Sequence, residues 1–133
     1  MQFHPNELFL IYDPLSNVGR QTKAMALDLC SHINEVDVRR EKFSPTYWRE
    51  VVTLLGLHPK DLLDSSHPDY KKAGDNNYTM DGWLNVLSQN GSLIKYPIVI
   101  FDLAAVLCKT PTDIMKLKSN VPEKTLPHLK NYR

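Results

Sequence analysis

The order of apolar segments along the chain constrains the fold more than any other sequence feature. Glu7–Tyr12 is a short apolar run rich in strand-forming residues, and a segment with one apolar helical face follows it over 17–31. Glu35–Arg39 then alternates in the manner of a half-exposed strand. A strand, a helix and a second strand in this order predict a parallel βαβ unit.

The second half of the chain predicts helices followed by an antiparallel hairpin. Ser44 and Pro45 are typical of an N-cap and a first helical position, and Thr79 is a second candidate cap. Tyr96–Phe101 and Ala104–Leu107 are apolar runs separated by only two residues, which predicts a tight hairpin. A closing helix is predicted after the hairpin.

These segments together predict an α/β fold with a four-stranded mixed sheet and helices on both faces. This is the thioredoxin and glutaredoxin-like arrangement. The segment 119–133 is polar and contains two prolines, so we predict a thioredoxin-like domain over 1–118 and a C-terminal tail over 119–133.

Length, charge and cysteine usage narrow the function classes. The chain has 133 residues and a formal net charge of +1, so we expect no direct binding to nucleic acid or to an anionic membrane. The apolar runs are far too short to cross a bilayer, and the N-terminus lacks the pattern of a signal peptide. Cys30 and Cys108 lie far apart and form no C-x-x-C pair, which favours a reducing, cytoplasmic environment.

The histidines do not predict a metal site. They are scattered along the sequence without the spacing of metal ligands: His4, His32, His58, His67 and His128. We therefore expect no metal.

Three separated stretches together resemble one known family. They are Asp13-Pro14-Leu15-Ser16 with Arg20, the run Asn90–Val99, and Val106–Lys109 followed by Pro111. They resemble the arsenate reductase family of thioredoxin-like proteins, which also includes the Spx-type transcription regulators, and the resemblance covers roughly residues 7 to 118. It is strongest in LIKYPIVI, where the family carries a Leu-x-x-Arg-Pro-Ile-Val pattern.

The resemblance implies a catalytic cysteine in the turn before the first helix. Free N–H groups and the helix dipole at such a site stabilise a thiolate and bind an oxyanion. Asp13 and Pro14 match the family's Asn-Pro, Arg20 matches its Arg, and Ser16 occupies the position of the cysteine. Gly19 stands where a second cysteine would complete a C-x-x-C redox switch.

The resemblance also implies three oxyanion-binding arginines. Tyr96 replaces the arginine before the proline, Lys109 replaces the one after Leu-Cys, and the third falls near Lys60. The candidate anion-binding residues are therefore Ser16, Asn17, Arg20, Lys60, Tyr96 and Lys109. Pro97 matches the proline that is cis in thioredoxin-like folds, so we expect a cis Tyr96–Pro97 bond.

Three interpretations of function are open, and we favour the first. In the first, Ser16 is a helix cap, thiol catalysis is lost, and the protein is a binding or regulatory module for a small oxyanion, glutathione or a protein partner. In the second, Cys108, or Cys30, serves an active oxidoreductase linked to glutathione or glutaredoxin, with glutathione as the only cofactor. In the third, the chain is a redox-independent, Spx-like regulator that binds a protein partner. Whether the protein is an enzyme is left undecided.

Overall fold

The computed structural model describes residues 7–30, 33–70 and 78–117. The strands are β1 (Leu8–Tyr12), β2 (Ile33–Asp37), β3 (Ile98–Phe101) and β4 (Ala104–Leu107). The α-helices are α1 (Asn17–Leu29), α2 (Pro45–Leu55) and α3 (Met80–Gln89), and short 3-10 helices lie at Pro59–Leu62, Gly91–Leu93 and Pro111–Leu117. The predicted tail 119–133 lies outside the described residues, so the domain boundary stays a prediction.

The strands form one mixed sheet in the order β2-β1-β3-β4. β1 pairs in parallel with β2, while β3 runs antiparallel to both β1 and β4. This arrangement confirms the predicted α/β fold with a four-stranded mixed sheet.

The central strand β1 is buried on both faces. Leu8, Leu10 and Tyr12 pack in one apolar cluster with residues of α1 and of the last 3-10 helix. Phe9 and Ile11 point to the opposite cluster, which α2 and α3 cover. A strand covered on both sides reads as a continuous apolar run, which explains the sequence ELFLIY.

Local capping interactions start α2 and α3 where the sequence predicts. The Ser44 hydroxyl accepts a hydrogen bond from the Tyr47 N–H at 3.1 Å, and the Thr79 hydroxyl accepts one from the Gly82 N–H at 3.2 Å. Gly56 ends α2 with a φ of 69°, a backbone conformation that glycine adopts without strain.

The predicted second strand is wrong in its boundaries. β2 spans Ile33–Asp37 because the chain turns immediately after Asp37. The Arg39 N–H donates to the Asp37 side chain at 2.8 Å, and the Arg40 N–H donates to the Asp37 carbonyl at 3.1 Å. The turn removes Arg39 from the strand and leaves it beside the carboxyl end of β1.

The predicted closing helix is present, but it is a 3-10 helix and not an α-helix. Pro111–Leu117 is a 3-10 helix, and it buries Ile114 and Leu117 against α1 and β4.

Candidate functional site

Ser16 is the N-cap of α1. Its hydroxyl accepts a hydrogen bond from the Gly19 N–H at 3.1 Å, and its own N–H donates to the Asp13 carbonyl at 3.0 Å. The side chain is half-buried at the mouth of a cavity beside the helix N-terminus. The hydroxyl therefore satisfies one of the helix N–H groups that would otherwise face a bound anion.

Gly19 allows the turn before α1 to fold back tightly. A Cβ at this position would lie 2.6 Å from the Asp13 carbonyl oxygen and 3.2 Å from Cδ2 of Tyr12. Real Cβ atoms do not approach a backbone oxygen so closely, so the position that would hold a second cysteine has no room for a side chain.

Arg20 supports the same turn from outside. Its guanidinium donates to the Pro14 carbonyl at 3.2 Å and to the Asn17 side-chain oxygen. Both Asn17 and Arg20 are exposed, and neither lines the cavity. Their role in this structure is to fix the turn that presents Ser16.

A second wall of the site comes from two segments distant in sequence. The Asp64 N–H donates to the Leu93 carbonyl at 2.7 Å, and the Lys95 N–H donates to the Leu62 carbonyl at 2.8 Å. These bonds hold Asp64 and the following His67 beside the segment that enters β3.

The predicted cis Tyr96–Pro97 bond is not present. Among the residues that the structure describes, no peptide bond is cis. The trans form is the lower-energy isomer of an X-Pro bond by roughly 0.5–1 kcal/mol, and here it still lets the Pro97 carbonyl accept from the Cys108 N–H at 2.8 Å. The chain passes directly from this pairing into β3.

These segments enclose a cavity of about 250 Å³ at the N-terminus of α1. It contains charged groups of both signs, hydroxyl groups and one proline. Its lining residues are Asp13, Ser16, Arg39, Asp64, His67, Ser92, Ile94, Lys95, Tyr96 and Pro97. Larger depressions of about 560 and 500 Å³ lie along α3 and between α2 and α3, but Ser16 and the charged residues around it line the smaller cavity.

An ion pair joins the carboxyl ends of β1 and β2 inside this site. Nε of Arg39 donates to the Asp13 carboxylate at 2.6 Å, and the Leu15 N–H donates to the same oxygen at 2.9 Å. Burial by itself raises the pKa of Asp13, but the bonds from Arg39 and Leu15 outweigh it and hold the pKa below its usual value. Asp13 is therefore ionised at neutral pH, and it raises the pKa of Arg39 in return.

Asp64 is the second carboxylate of the cavity. The Ser66 hydroxyl donates to it at 2.6 Å and the Ser66 N–H at 2.9 Å. The hydroxyl bond is the main reason that the pKa of Asp64 is lowered, and the charges of Lys95 and His67 add to the effect. His67 itself accepts a hydrogen bond at Nδ1 from the Asp69 N–H at 3.1 Å.

The structure brings together only part of the predicted anion site. Ser16, Tyr96 and Pro97 line one cavity. Nζ of Lys60 instead lies 5.4 Å from the ring centroid of Trp83, and Lys109 is exposed after β4; neither lines the cavity. Side chains at these two positions are therefore not part of this site.

Sequence reasoning missed Arg39, Asp64, His67 and Lys95. The available signal was the parallel βαβ unit, because the carboxyl ends of parallel strands meet at one edge of a sheet. Asp13 follows β1 and Arg39 follows β2 by two residues. Asp64 and His67 had no comparable signal, since their position depends on a pairing between distant segments.

Both cysteines lie in the apolar cluster under α1. Cys108 is fully buried and Cys30 is 6% exposed. Burial raises the pKa of the Cys108 thiol to about 12, with a smaller contribution from Asp113. The thiol is therefore protonated at neutral pH, although its backbone pairs with Pro97 at the edge of the site.

The described part of the chain offers neither a metal-binding cluster nor a membrane-spanning helix. No group of three or more His, Cys, Asp or Glu side chains there could hold a metal ion. No described helix is both long enough and apolar enough to span a bilayer.

Comparison with solved structures identifies the fold. An arsenate reductase of Vibrio cholerae matches with a TM-score of 0.76 and 17% sequence identity, over 85% of this chain and 98% of that one. A Yersinia pestis protein provisionally assigned as an arsenate reductase matches with a TM-score of 0.75 and 21% identity, over 82% and 98% of the two chains. A Bacteroides fragilis protein provisionally related to the ArsC family matches with a TM-score of 0.71 and 18% identity, over 84% of this chain and 99% of that one.

The chain therefore has the thioredoxin-like fold of the arsenate reductase structures, as its sequence resemblance implies. At these identities the likeness establishes the fold alone. No protein-family model and no curated protein matches the sequence.

Proposed function

We propose that this chain is a relative of the arsenate reductases that lacks thiol catalysis and acts in the cytoplasm as a binding or regulatory module. The observation that carries the proposal is Ser16, whose hydroxyl caps α1 at the position where the resemblance requires a thiolate. Serine cannot form the mixed disulfides through which thiol reductases work.

The other cysteines do not supply the missing nucleophile. The thiolate is the reactive form of cysteine, and a pKa of about 12 leaves Cys108 protonated at neutral pH. Its side chain is also fully buried, away from a soluble thiol substrate. An oxidoreductase that uses Cys108 is therefore less well supported.

A hydrolytic role for Ser16 has equally little support. A serine nucleophile needs a base that removes its proton. His67 lines the same cavity, but its Nδ1 is already engaged with the Asp69 N–H. The Ser16 oxygen accepts from the Gly19 N–H, which is the ordinary geometry of a helix cap.

The cavity favours a small anionic group as the ligand. Lys95 carries a positive charge into it and the N-terminus of α1 adds its partial positive charge, whereas the charge of Arg39 is offset by Asp13. Its two carboxylates already have partners, Asp13 with Arg39 and Asp64 with Ser66. A small oxyanion, or a carboxylate of glutathione, matches this chemistry.

The catalytic part of the proposal is tested by arsenate reduction in the presence of glutathione and glutaredoxin. We expect the wild-type protein to be inactive, because both cysteines are buried. Ser16→Cys is the informative variant and Ser16→Ala its matched control. Activity regained by Ser16→Cys alone means that only the nucleophile is missing, whereas turnover by the wild type that Cys108→Ser abolishes would overturn the proposal.

The binding part is tested by calorimetric titration with arsenate and phosphate. Lys95 and Lys60 make a matched pair, since each Nζ lies 5.4 Å from an aromatic ring centroid but only Lys95 lines the cavity. We expect Lys95→Ala to weaken anion binding by about threefold to tenfold, which is the effect of losing one charge-assisted hydrogen bond to the anion. Lys60→Ala should leave binding unchanged, and equal effects of both variants would contradict the assignment of the cavity.

The Spx-like interpretation stays a prediction of the sequence resemblance. Its discriminating measurement is the retention of RNA polymerase by the purified protein.

A further inference from the structure

The charged side chains that line the cavity beside Ser16 balance one another. Arg39 and Lys95 are positive, and Asp13 and Asp64 are negative at neutral pH. The Asp13 charge is compensated directly by Arg39 at 2.6 Å. Asp64 forms no ion pair with any described residue. A ligand in this cavity therefore meets an uncompensated carboxylate as well as positive groups.

The two oxygens of the Asp64 carboxylate differ in their bonding. Oδ1 accepts from the Ser66 hydroxyl at 2.6 Å and from the Ser66 N–H at 2.9 Å, whereas Oδ2 accepts from no described residue. The Asp64 N–H donates to the Leu93 carbonyl at 2.7 Å, which fixes the backbone at this position. An ionised carboxylate oxygen accepts hydrogen bonds and cannot donate one. Oδ2 is therefore the oxygen left for a ligand, and that ligand must supply the hydrogen.

Donors for the negative oxygens of a ligand line the same cavity. Lys95 provides an ammonium group and Tyr96 a phenolic hydroxyl. Nδ1 of His67 accepts from the Asp69 N–H at 3.1 Å, so the neutral ring carries its proton on Nε2. The volume of about 250 Å³ lies below the range of roughly 300–1,000 Å³ typical of sites for drug-sized ligands, which favours a small ion.

Tetrahedral oxyanions differ in whether they carry a hydrogen at neutral pH. Phosphate and arsenate keep at least one hydroxyl group, whereas sulfate and selenate are fully ionised. The hydroxyl of phosphate or arsenate can donate to Oδ2 of Asp64 while the other oxygens accept from groups such as Lys95. A fully ionised anion has no hydrogen for Oδ2 and places a like charge beside it, which opposes binding.

We propose that Asp64 is a specificity-determining residue, whose carboxylate selects oxyanions that carry a hydroxyl group over fully ionised oxyanions of the same size and shape. This selectivity rests on the proposed function, because it requires that the cavity binds a small oxyanion. It assigns the discrimination to one carboxylate and not to the positive groups. Positive charge alone attracts sulfate as well as phosphate.

Calorimetric titration of the full chain with two pairs of anions tests the proposal. Phosphate is compared with sulfate, and arsenate with selenate, at neutral pH and fixed ionic strength. The two ions of each pair are nearly equal in size and differ in the hydroxyl group. We expect phosphate and arsenate to bind about tenfold to a hundredfold more tightly than sulfate and selenate, which is the effect of one hydrogen bond to a charged group.

Asp64→Asn changes the chemistry of a single atom in the cavity. The side-chain oxygen can keep both bonds from Ser66, and the NH₂ group then takes the place of Oδ2 and donates where Oδ2 accepts. We expect this variant to bind the two anions of each pair within about threefold of each other.

Asp61→Asn is the matched control. Asp61 precedes Asp64 in the same wall, it is exposed, and it does not line the cavity. The control changes the net charge by the same amount, and it should keep the preference of the wild type. Thermal unfolding of both variants confirms that they are folded.

The possible outcomes separate selectivity from binding itself. Equal binding of phosphate and sulfate by the wild type would overturn the role of Asp64 and leave an oxyanion-binding cavity. A preference that survives Asp64→Asn, or that Asp61→Asn also removes, would overturn it as well. Binding of none of the four anions would overturn the proposed binding function together with the selectivity.

Discussion

Asp13 shows how a single residue links the fold to the candidate site. Its carboxylate binds the Arg39 side chain and the Leu15 N–H at once, so it ties the end of β2 to the turn before α1. The Asp13 side chain is 16% exposed and the Arg39 side chain is 44% exposed, so water screens the pair in part. The family's turn has asparagine at this position, and here the charge holds Arg39 in the cavity.

Asp13→Asn should lower the free energy of unfolding by about 1–2 kcal/mol at neutral pH, less than the roughly 1.5–3 kcal/mol of a well-buried hydrogen bond to a charged group, because Arg39 is partly exposed. The pKa of Asp13 is lower in the folded state than the value of about 3.9 for a free aspartate. Its contribution is therefore fully present above that value and is lost as the pH falls through the folded-state pKa.

Urea denaturation at pH 7 and near the folded-state pKa measures this dependence. The difference between wild type and Asp13→Asn should shrink at acid pH. Asp28→Asn, at an exposed position of α1, is the control and should change stability little at either pH. A difference that stays constant with pH would contradict the assigned role of the ion pair.

For single residues, the sequence predicts the roles that depend only on neighbouring positions along the chain. Ser16 is identified as a cap because its neighbours along the chain supply the helix it caps. Arg39 is not predictable in the same way, since its role depends on where β2 ends and on which strand lies beside it. The same holds for Asp64 and Lys95, which a pairing between remote segments brings together.

At the scale of elements, α1 and its preceding turn act as one unit. The turn approaches the helix so closely that only glycine fits at position 19. Gly19→Ala should gain about 1 kcal/mol in helix propensity, but the contact with the Asp13 carbonyl must be relieved by a shift of the turn. We expect a net destabilisation of about 1–3 kcal/mol, measured by chemical denaturation.

Ala24→Gly in the same helix is the control for this prediction. Ala24 is exposed, so its replacement should report helix propensity alone and destabilise by about 1 kcal/mol. If Gly19→Ala stabilises the protein, the close approach of the turn does not limit this position.

The elements differ in how far the sequence determines them. α2 and α3 begin at the predicted caps because capping is a contact between residues three apart. β2 is shifted by two residues because pairing with β1, together with a turn at Asp37, decides its length. The closing segment forms a 3-10 helix, in which residues three apart share one face, so Ile114 and Leu117 both reach the core.

At the scale of the whole molecule, the fold class follows from the order of apolar segments. A parallel βαβ unit and a hairpin with a two-residue turn leave few ways to build one sheet, and the observed order β2-β1-β3-β4 satisfies both. The cavity was only partly predictable. Its charged residues come from four separate parts of the chain, and no periodic pattern in the sequence indicates that they lie close together.

The pairing of β1 has a consequence for the synthesis of the chain. β1 gains β2 as a neighbour soon after both are translated, but its other neighbour is β3, and Leu8 pairs with Phe101. Between the emergence of β1 from the ribosome and the emergence of β3, the growing chain therefore carries an apolar strand that lacks its β3 neighbour. β1 can be enclosed on both sides only after β3, the third of the four strands, has been synthesised. Contacts between segments so distant in sequence also form slowly.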